Sequence, residues 1–443
     1  MKVLIISVTT FPISPSGPAY IAGAARDAGH TVEVFDCFCA QDLVRELEGH
    51  ITRFNPDVVG ISIRFVTGKI VDKKVEFYTK PFDARPKVKE IVNCIQRMSQ
   101  ARIVLGGCGF NYFGCDWLEY LDLDYGIRGE AEFSFPLYLQ RLEEDGDIYS
   151  VPGCIFRKDG HIYKVPRERI ERLDDTALPA YDLFELDRYT ERNISPGIFT
   201  KRGCVFHCIY CPYHSLEGAR YRLKSPTRVV DEIEHIYTIN PPKMITFCDN
   251  NFNAPKSHAI AICKEILHRK LNITWGTGSL KPFGFTDDLC RLFQESGCGY
   301  VNLSIETASE TMLKRMNRGC TVDHITQALT CLSRSEIPFG ISLMFGAPGE
   351  TPQTIAETFE VIDRFQIPQG VWVTIGINLW THHQHVVDDA RRDSQLHDDK
   401  ELFEGIDYLS PELPKVYMIE LTESLKTKGN YTIQVNKPYV AYS

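Results

Sequence analysis

The chain has 443 residues, 43% of them hydrophobic and 24% charged, and its formal net charge at pH 7 is −9. This composition is typical of a globular protein, and at roughly 100–200 residues per domain the length predicts two or three domains. The acidic balance argues against nucleic-acid binding and against attachment to an anionic membrane. No apolar run reaches the roughly 18 residues of a membrane-spanning helix. The apolar start at residues 3–6 is too short for a secretory signal.

Fifteen cysteines occur along the chain. In a chain of this length without a secretory signal, they indicate a reducing compartment and not a disulfide framework. We therefore expect a cytoplasmic protein that works under anaerobic or low-oxygen conditions. Cys37 and Cys39 are predicted to be packed thiols, with a second metal site as the alternative.

Residues 1–150 alternate apolar runs with amphipathic segments, which is typical of a doubly wound α/β domain with a parallel sheet. The predicted strands are residues 3–8, 31–35, 58–63, 103–105 and 125–127. The predicted helices are residues 19–28, 40–54, 86–99 and 133–144. Such domains bind ligands at the carboxyl ends of their strands. The residues predicted at those ends and in the turns that follow are Thr9, Thr10, Pro15, Gly17, Arg64, Phe65, Val66, Gly106, Gly107, Gly129, Glu130 and Glu132.

Residues 151–195 are predicted to be a connector. Two short strands flank the turn sequence Lys158-Asp159-Gly160, which indicates a hairpin. A linker with a short helix follows it. We assign this connector a bridging role without chemistry.

Residues 203–212 have the sequence GCVFHCIYCP, which places the thiols of Cys204, Cys208 and Cys211 on one short loop. Three neighbouring cysteines are suited to bind three irons of a cubane cluster and leave the fourth iron open to a small molecule. Ferredoxins use a different spacing, and structural zinc sites usually combine two CxxC-type motifs. No second motif of this type lies nearby. The less favoured alternatives are therefore a zinc site lacking one ligand and three unrelated cysteines.

Residues 196–380 repeat a strand followed by a helix six times, which predicts a partial (β/α)6 barrel open along one side. In barrels of this kind the chemistry lies at the carboxyl ends of the strands. The predicted strands are residues 197–200, 244–247, 273–276, 300–305, 339–345 and 371–377.

The spacing of Cys204, Cys208 and Cys211, with Tyr210 before the third, resembles the CxxxCxΦC signature of the radical S-adenosylmethionine (SAM) enzymes. In those enzymes the amino and carboxylate groups of SAM chelate the open iron of a [4Fe–4S] cluster. A doubly wound domain placed before such a loop resembles the cobalamin-dependent branch of the superfamily. Pro15, Gly17, Tyr20, Ile21 and Ala22, with Gly129, Glu130 and Glu132, match its first helix and its GE-x-E turn.

This resemblance implies that cobalamin binds at the carboxyl ends of the first domain's strands. The domain lacks the Asp-x-His-x-x-Gly run that supplies a histidine to cobalt in other cobalamin proteins. Arg64, Phe65 or Val66 would then face the lower side of the metal. An α/β domain that has lost its corrin is the alternative.

The resemblance also implies SAM contacts at the barrel's strand ends. Glu306 matches a carboxylate that binds the ribose, and Gly346, Pro348 and Glu350 match a G-x-P-G-E-T turn near the adenine. Tyr210 would shield the cluster or the adenine, or play a structural role. The pairs after the second and third strands, which would orient the amino-acid end of SAM, are Asp249 with Asn250 and Ser279 with Lys281. For each such side chain, a helix cap or a surface salt bridge is the alternative.

Residues 381–443 are predicted to be a short C-terminal extension with a charged helix at 388–399. His382, His383 and His385 suggest zinc, but no matching ligand motif accompanies them, so we expect surface or substrate-side histidines. Residues 402–411 resemble a stretch that follows the barrel in cobalamin-binding family members. A short tail leaves the barrel accessible to a peptide or protein substrate.

The predicted architecture is therefore α/β, with a Rossmann-like cobalamin-binding domain at residues 1–150 and a connector at 151–195. A partial (β/α)6 radical SAM barrel follows at 196–380, and the extension takes 381–443. The resemblance implies a methyltransferase that acts on an unactivated sp3 carbon through a 5′-deoxyadenosyl radical and methylcobalamin. Length and architecture are similar to those of the archaeal enzyme that methylates a glutamine of methyl-coenzyme M reductase.

Two alternatives remain at this point. An oxidative cyclase acting on a small molecule would use the same cofactors, and an iron–sulfur electron-transfer module would not cleave SAM. The expected partners are a peptide, protein or small-molecule substrate and an electron donor such as ferredoxin or flavodoxin.

Overall fold

The computed structural model of the chain describes residues 1–9, 13–64, 66–68, 82–379 and 406–435. The chain divides into two compact units. The first comprises the described residues of 1–68, 82–197 and 231–243, and the second comprises those of 198–230 and 244–435. Within these ranges no helix is long and apolar enough to cross a bilayer. The predicted α/β fold is confirmed.

The first unit is built on a sheet with seven strands in its described residues. The strands of this half of the chain are β1 Lys2–Val8, β2 Thr31–Asp36, β3 Val58–Ile63, β4 Thr67–Gly68, β5 Phe82–Asp83, β6 Arg102–Gly106, β7 Tyr125–Ile127, β8 Cys154–Lys158 and β9 His161–Lys164. The helices are α1 Ser16–Asp27, α2 Leu43–Phe54, α3 Arg85–Met98, α4 Cys108–Leu121, α5 Ala131–Glu143 and α6 Leu186–Thr190.

The sheet order is β2-β1-β3-β6-β7-β8-β9, and its first five strands are parallel. Every residue of β1 after Lys2 is buried, because α1 packs with α5 and α2 packs with α3 over the sheet. The chain order reverses between β1 and β3. In open parallel sheets such a reversal opens a crevice at the carboxyl edge, where ligands bind.

The hairpin predicted in the connector is present as β8 and β9. These strands extend the sheet of the first unit with antiparallel pairs, β7 to β8 and β8 to β9. The connector therefore belongs structurally to the first unit.

One helix of the first unit was not predicted from the sequence. Helix α4 begins directly after Gly107 and carries a kink at Phe113. Its sequence, CGFNYFGCDWLEYL, is rich in glycine and aromatic residues, which have lower helix propensity than alanine or leucine. The buried face, which includes Phe110 and Trp117, stabilises the helix through packing.

The chain from residue 197 onward supplies a second sheet. Its strands and the short strands around them are β10 Gly197–Ile198, β11 Lys201–Arg202, β12 Arg222–Leu223, β13 Ile245–Phe247, β14 Trp275–Leu280, β15 Cys298–Glu306, β16 Phe339–Phe345, β17 Val371–Ile375, β18 Ile377–Leu379, β19 Ile406–Tyr408 and β20 Tyr431–Val435. The helices are α7 Tyr213–Glu217, α8 Pro226–Ile239, α9 Lys256–His268, α10 Asp287–Glu295, α11 Glu310–Arg315, α12 Val322–Arg334, α13 Pro352–Ile362 and α14 Lys415–Thr427.

The order of the second sheet is β10-β13-β14-β15-β16-β17-β20. The strands from β13 to β20 are parallel to their neighbours, and β10 and β20 lie at the two edges of an open sheet. This is the predicted partial barrel, in which the carboxyl ends of the parallel strands lie at the same edge of the sheet.

The sheet has one strand more than the six predicted. Strand β20 comes from the C-terminal segment and pairs in parallel with β17 over residues 371–375. Helix α14, also unpredicted, provides the crossover that a parallel pair requires. The helix predicted at 388–399 and the histidines His382, His383 and His385 lie outside the described residues.

Candidate functional site

The three-cysteine loop connects β11 to α7 at the start of the second unit. Gly203 enters the loop with φ +86°, and a Cβ there would lie 2.0 Å from the carbonyl oxygen of Arg220. The backbone N–H of Cys204 donates to the Gly218 carbonyl at 2.9 Å, and that of Ile209 donates to the Met316 carbonyl at 3.2 Å. The loop is thus held at both ends by backbone hydrogen bonds.

The thiols are largely withdrawn from solvent. Cys204 and Cys208 are buried and Cys211 is half-buried. Burial raises the pKa of Cys204 and raises the pKa of Cys211 to about 12. A bound cation reverses this effect, because metal ligation requires the thiolate.

These sulfurs do not fit a zinc ion. In the described part of the chain, no three side chains of His, Cys, Asp or Glu lie close enough together to hold one metal ion. Three thiolates on one zinc would lie within roughly 4 Å of each other, since a Zn–S bond is about 2.3 Å. An iron–sulfur cluster takes one thiolate on each iron and spaces its ligands further apart. Three thiolates on one short loop, each able to bind one iron, match the donor set of such a cluster.

Two buried cations contact the middle cysteine. The Nζ of Lys281 and a guanidinium nitrogen of Arg318 each lie 3.6 Å from the Cys208 sulfur. Lys281 is 5% exposed and Arg318 is 3% exposed. Lys281 was predicted as a site residue and Arg318 was not. The only sequence signal for Arg318 was its place in a basic run after α11.

Glu306 lies at the carboxyl end of β15, as predicted. Its backbone has φ +67°, which is unusual for a residue with a side chain and costs on the order of 1–3 kcal/mol. Its carboxylate lies 3.9 Å from the guanidinium of Arg318. Burial raises the pKa of Glu306, and the charges of Arg318 and Lys281 oppose that rise. A strained, buried carboxylate beside two cations is typical of a ligand site.

Tyr210 is held by the same arginine. Its hydroxyl accepts a hydrogen bond from Arg318, and its ring packs with Met312, Met316 and Tyr408. Tyr210 therefore has structural contacts of its own in addition to its predicted place near the cofactors.

Asp249 and Asn250 follow β13, as predicted, but both side chains have protein partners. Asp249 accepts hydrogen bonds from the backbone N–H groups of Thr200 and Lys201 at 2.8 and 3.3 Å. Asn250 donates to Glu217 at 2.7 Å. These two residues hold the segment that leads into the cysteine loop.

Asn251, the next residue, was not predicted as a site residue. Its side-chain nitrogen lies 3.4 Å from the Cys204 sulfur and its oxygen accepts from the hydroxyl of Tyr221 at 2.8 Å. Ser279 bonds to the Asn250 carbonyl and lies 3.5 Å from the hydroxyl of Ser304. The ends of β13, β14 and β15 are thus linked by side chains.

The turn after β16 contains Gly346 and Pro348. Glu350 is fully buried, and its carboxylate accepts from the backbone N–H groups of Gly346 and Ala347. Burial raises the pKa of Glu350 to about 8. A helix cap, which was the alternative for Glu350, is not observed, because Thr351 caps α13 and accepts from the N–H of Thr354. Ala347 packs in the same cluster as Tyr210, which brings this turn next to the cysteine loop.

In the first unit, the predicted cobalamin residues gather at one edge. Thr9, Arg64 and Val66 follow β1 and β3, the two strands at the reversal of the chain order. Pro15 and Gly17 open α1, after β1. Thr10 and Phe65 lie outside the described residues.

The remaining residues of that set follow β6 and β7, and several have structural contacts. Gly107 has φ +90°, and a Cβ there would lie 2.6 Å from the Ile63 carbonyl oxygen. A Cβ at Gly106 would make an ordinary van der Waals contact. The backbone N–H of Gly129 donates to the side-chain oxygen of Asn111 at 2.7 Å. Glu130 accepts from the backbone N–H of Ile170 at 2.9 Å. Glu132 lines a cavity of about 520 Å³ beside α1 and α5.

Comparison with known proteins agrees with both units. Residues 2–139 match the B12 binding domain, and residues 198–362 match the Radical SAM superfamily. An uncharacterized methyltransferase of Pyrococcus horikoshii is 26% identical over 381 residues, which are 84% of this chain and 79% of that protein.

Two further proteins are similar to this chain. The anaerobic magnesium-protoporphyrin IX monomethyl ester cyclase of Rubrivivax gelatinosus is 26% identical over 372 residues, 81% of this chain and 63% of the cyclase. The structure of the radical SAM methyltransferase TsrM from Kitasatospora setae, with cobalamin and a [4Fe–4S] cluster bound, superposes with a TM-score of 0.78. It is 21% identical and covers 93% of this chain and 84% of its own, so it shares the fold.

The two domain matches and the cysteine loop define a radical SAM protein with an N-terminal B12 binding domain. Within that class, the chain is similar to methyltransferases, among them the radical SAM methyltransferase whose structure holds cobalamin and a [4Fe–4S] cluster. It is an enzyme whose cofactors are a [4Fe–4S] cluster, SAM and cobalamin.

Proposed function

We propose that this enzyme methylates an unactivated sp3 carbon of a peptide or protein residue. When bound, the cluster supplies an electron to the sulfonium of SAM, and cobalamin carries the methyl group to the substrate carbon. Cys204, Cys208 and Cys211 hold three irons of the cluster. An sp3 C–H bond of ordinary acidity offers no proton to a side-chain base at neutral pH, which is why such cofactors are needed.

The arrangement that carries the proposal is the chain of contacts from Cys208 through Arg318 to Glu306. One buried guanidinium lies 3.6 Å from the cysteine sulfur and 3.9 Å from the carboxylate. Glu306 accepts hydrogen bonds from the ribose hydroxyls of SAM. Lys281 and Arg318 hold positive charge beside the thiolates and the carboxylate of SAM, which favours binding of both.

The side chains around this arrangement exclude water. Tyr210, Met312 and Met316 form part of a buried apolar cluster next to the loop. An environment of this kind strengthens each electrostatic contact within it and protects reactive species from side reactions. Asn251 and Asp249 keep the loop in place.

In the first unit, the edge formed by Thr9, Arg64, Val66, Gly107 and Gly129 binds the corrin. Arg64 and Val66 follow the strand at the order reversal. They would hold the corrin near its cobalt, since this sequence offers no Asp-x-His-x-x-Gly histidine.

A peptide substrate is supported by the open sheet of the second unit. In its described residues, β10 and β20 are edge strands that do not pair with each other, so the barrel is not closed. A glutamine of methyl-coenzyme M reductase is the specific candidate, on the basis of length and domain order.

The test is anaerobic reconstitution with iron, sulfide and cobalamin, followed by incubation with SAM, a reductant and candidate peptides. We expect 5′-deoxyadenosine together with a peptide mass gain of one CH2 unit. Replacing Cys204, Cys208 and Cys211 by Ala should remove the cluster absorbance and abolish 5′-deoxyadenosine. Cys331→Ala, in the buried face of α12, is the matched control. Deoxyadenosine formation that survives the triple replacement would refute the assignment.

A small-molecule cyclase is the second candidate, and the similarity to the magnesium-protoporphyrin cyclase favours it. The two reactions differ in product mass. Cyclisation forms a ring without transferring the methyl group, so the product would lack the CH2 gain and no S-adenosylhomocysteine would accumulate.

A further inference from the structure

The side chain of Asn251 lies beside the first cysteine of the loop. Its nitrogen is 3.4 Å from the Cys204 sulfur, and its oxygen accepts from the hydroxyl of Tyr221 at 2.8 Å. Asn251 is 1% exposed, so water does not compete for either contact. One buried amide therefore connects a cluster ligand to the tyrosine that directly precedes β12.

The two partners determine which end of the amide faces the sulfur. A metal-bound thiolate has no proton to donate, so it accepts a hydrogen bond and requires the N–H end of the amide. The hydroxyl of Tyr221 donates to the oxygen at the other end. Burial raises the pKa of Tyr221, so this hydroxyl keeps its proton at neutral pH. Asn251 consequently has one orientation in which both ends of its amide are hydrogen-bonded.

The backbone around Asn251 is held on both sides. Before it, the Asn250 side chain donates to Glu217 at 2.7 Å. After it, the backbone N–H of Phe252 donates to the Ser279 carbonyl at 3.0 Å. The amide of Asn251 is therefore held in place independently of its contact with sulfur, and a cluster meets a donor that is already oriented.

The first two cysteines of the loop have different electrostatic partners. Cys208 contacts the cations of Lys281 and Arg318, each at 3.6 Å. Cys204 contacts the neutral amide of Asn251. An N–H group that donates to a cluster sulfur stabilises the more negative, reduced state and so raises the reduction potential. A neutral donor does this without the desolvation cost of a further buried charge.

We infer that Asn251 is a positioning residue that raises the reduction potential of the cluster by donating to the Cys204 thiolate, and that Tyr221 orients its amide. The inference rests on the proposed function, because it requires the cluster to be bound at Cys204. In the step concerned, one electron passes from a low-potential donor, which is oxidised, to the cluster, which is reduced and gains one negative charge. The N–H bond of Asn251 stays intact, so no proton is transferred.

The experiment is a redox titration of the reconstituted enzyme with dithionite, followed by electron paramagnetic resonance. The variants are Asn251→Leu, which removes the N–H donor, and Tyr221→Phe, which removes the hydroxyl that orients it. The matched controls are Asn240→Leu and Tyr237→Phe, at and next to the end of α8. They remove an amide and a hydroxyl that hydrogen-bond to other protein groups.

At a fixed solution potential, we expect the ratio of reduced to oxidised cluster to fall about tenfold in Asn251→Leu. For a one-electron couple this is a shift of about 59 mV to a more negative potential. Tyr221→Phe should lower the ratio about threefold, because the amide keeps its N–H but loses one of its two hydrogen bonds. The controls should change the ratio by less than about twofold, since they lie away from the sulfurs.

A spectroscopic readout separates this hydrogen bond from a merely structural role. After exchange into D2O, electron–nuclear double resonance detects exchangeable deuterons next to the reduced cluster. We expect Asn251→Leu to lose one of these couplings and both controls to retain all of them.

Ratios and couplings in Asn251→Leu that equal those of the controls would overturn the inference. Should this variant bind no iron, a ratio in Tyr221→Phe equal to that of Tyr237→Phe would overturn it instead. A wild-type enzyme that carries the cluster and shows the expected shifts, but forms no 5′-deoxyadenosine from SAM, would refute the proposed function and leave the role of Asn251 standing.

Discussion

The guanidinium of Arg318 lies 3.6 Å from the sulfur of Cys208 and 3.9 Å from the carboxylate of Glu306. It also donates to the hydroxyl of Tyr210 and to the carbonyl of Ser304. A single buried cation therefore connects the cysteine loop to the end of β15. Because it is charged and enclosed, it sets both the position and the electrostatics of what binds there.

Replacing Arg318 should make the cluster harder to reduce. The loss of a buried positive charge beside a thiolate disfavours the added electron, so we expect Arg318→Met to shift the midpoint potential negative by on the order of 60 mV. Redox titration followed by electron paramagnetic resonance measures the shift. Arg318→Lys keeps the charge and should stay near wild type.

This variant also leaves Glu306 buried without its nearest cation, at a cost of roughly 3–5 kcal/mol. The double variant Arg318→Met, Glu306→Gln removes both charges, so its free energy of unfolding should be higher than that of Arg318→Met. A potential that does not move in Arg318→Met would contradict the electrostatic role, whereas the double variant should lie closer to wild type because its two changes have opposite effects on the potential.

Glu306→Gln should weaken SAM binding. Hydrogen bonds from ribose hydroxyls to a charged carboxylate contribute about 1.5–3 kcal/mol, so the Kd should rise roughly tenfold or more. Anaerobic isothermal titration calorimetry measures it. Glu295→Gln, an exposed carboxylate on α10, is the control and should leave SAM binding unchanged. An unchanged Kd in Glu306→Gln would exclude the ribose contact.

Glu350 should make stability depend on pH. Its pKa is raised from 4.5 to about 8 by burial. Because the folded state binds this proton more tightly than the unfolded state does, protonation stabilises the fold at a pH below the pKa of the unfolded state. This stabilisation is lost as the pH rises through the pKa of the folded state. The free energy of unfolding of the wild type should therefore fall between pH 5 and pH 8.5 by on the order of 4 kcal/mol at most. The melting temperature should fall with it.

Glu350→Gln keeps an oxygen for the N–H groups of Gly346 and Ala347 but does not ionise. Its melting temperature should stay nearly level between pH 5 and pH 8.5, as followed by differential scanning fluorimetry. Parallel slopes for the two proteins would place the pH dependence elsewhere.

Gly203→Ala should destabilise the cysteine loop. The new methyl group would meet the Arg220 carbonyl at 2.0 Å, in a backbone conformation that favours glycine. We expect a loss of roughly 1–3 kcal/mol and fewer irons bound per chain after reconstitution. Gly278→Ala is the matched control, because a Cβ at that position meets no atom within 4 Å. Full iron content in Gly203→Ala would show that the loop tolerates the change.

The regular parts of the fold were predictable because their patterns are strongly periodic. The strands expected at 339–345 and 58–63 have those bounds in the structure. Apolar runs and 3.6-residue periodicity identify such elements directly. Strand β20 was missed because its partner β17 lies some 60 residues earlier, and pairing over that distance leaves no local signal.

The site residues that the sequence indicated belong to a motif, as Glu306 and the three cysteines do, or follow a strand of the barrel, as Lys281 does. Arg318 and Asn251 were missed, because their importance comes from contacts with Cys208 and Cys204 that the fold creates. Asp249 follows its strand as expected, yet its hydrogen bonds to Thr200 and Lys201 became visible only in three dimensions.

The late position of β20 has a consequence for biosynthesis. The sheet of the second unit gains its last described strand only after at least 435 residues have been made. Until then β17 presents an unpaired row of backbone groups to the crowded cell, where another nascent chain can add to it. Correct assembly therefore depends on how quickly α14 and β20 follow β17 during translation.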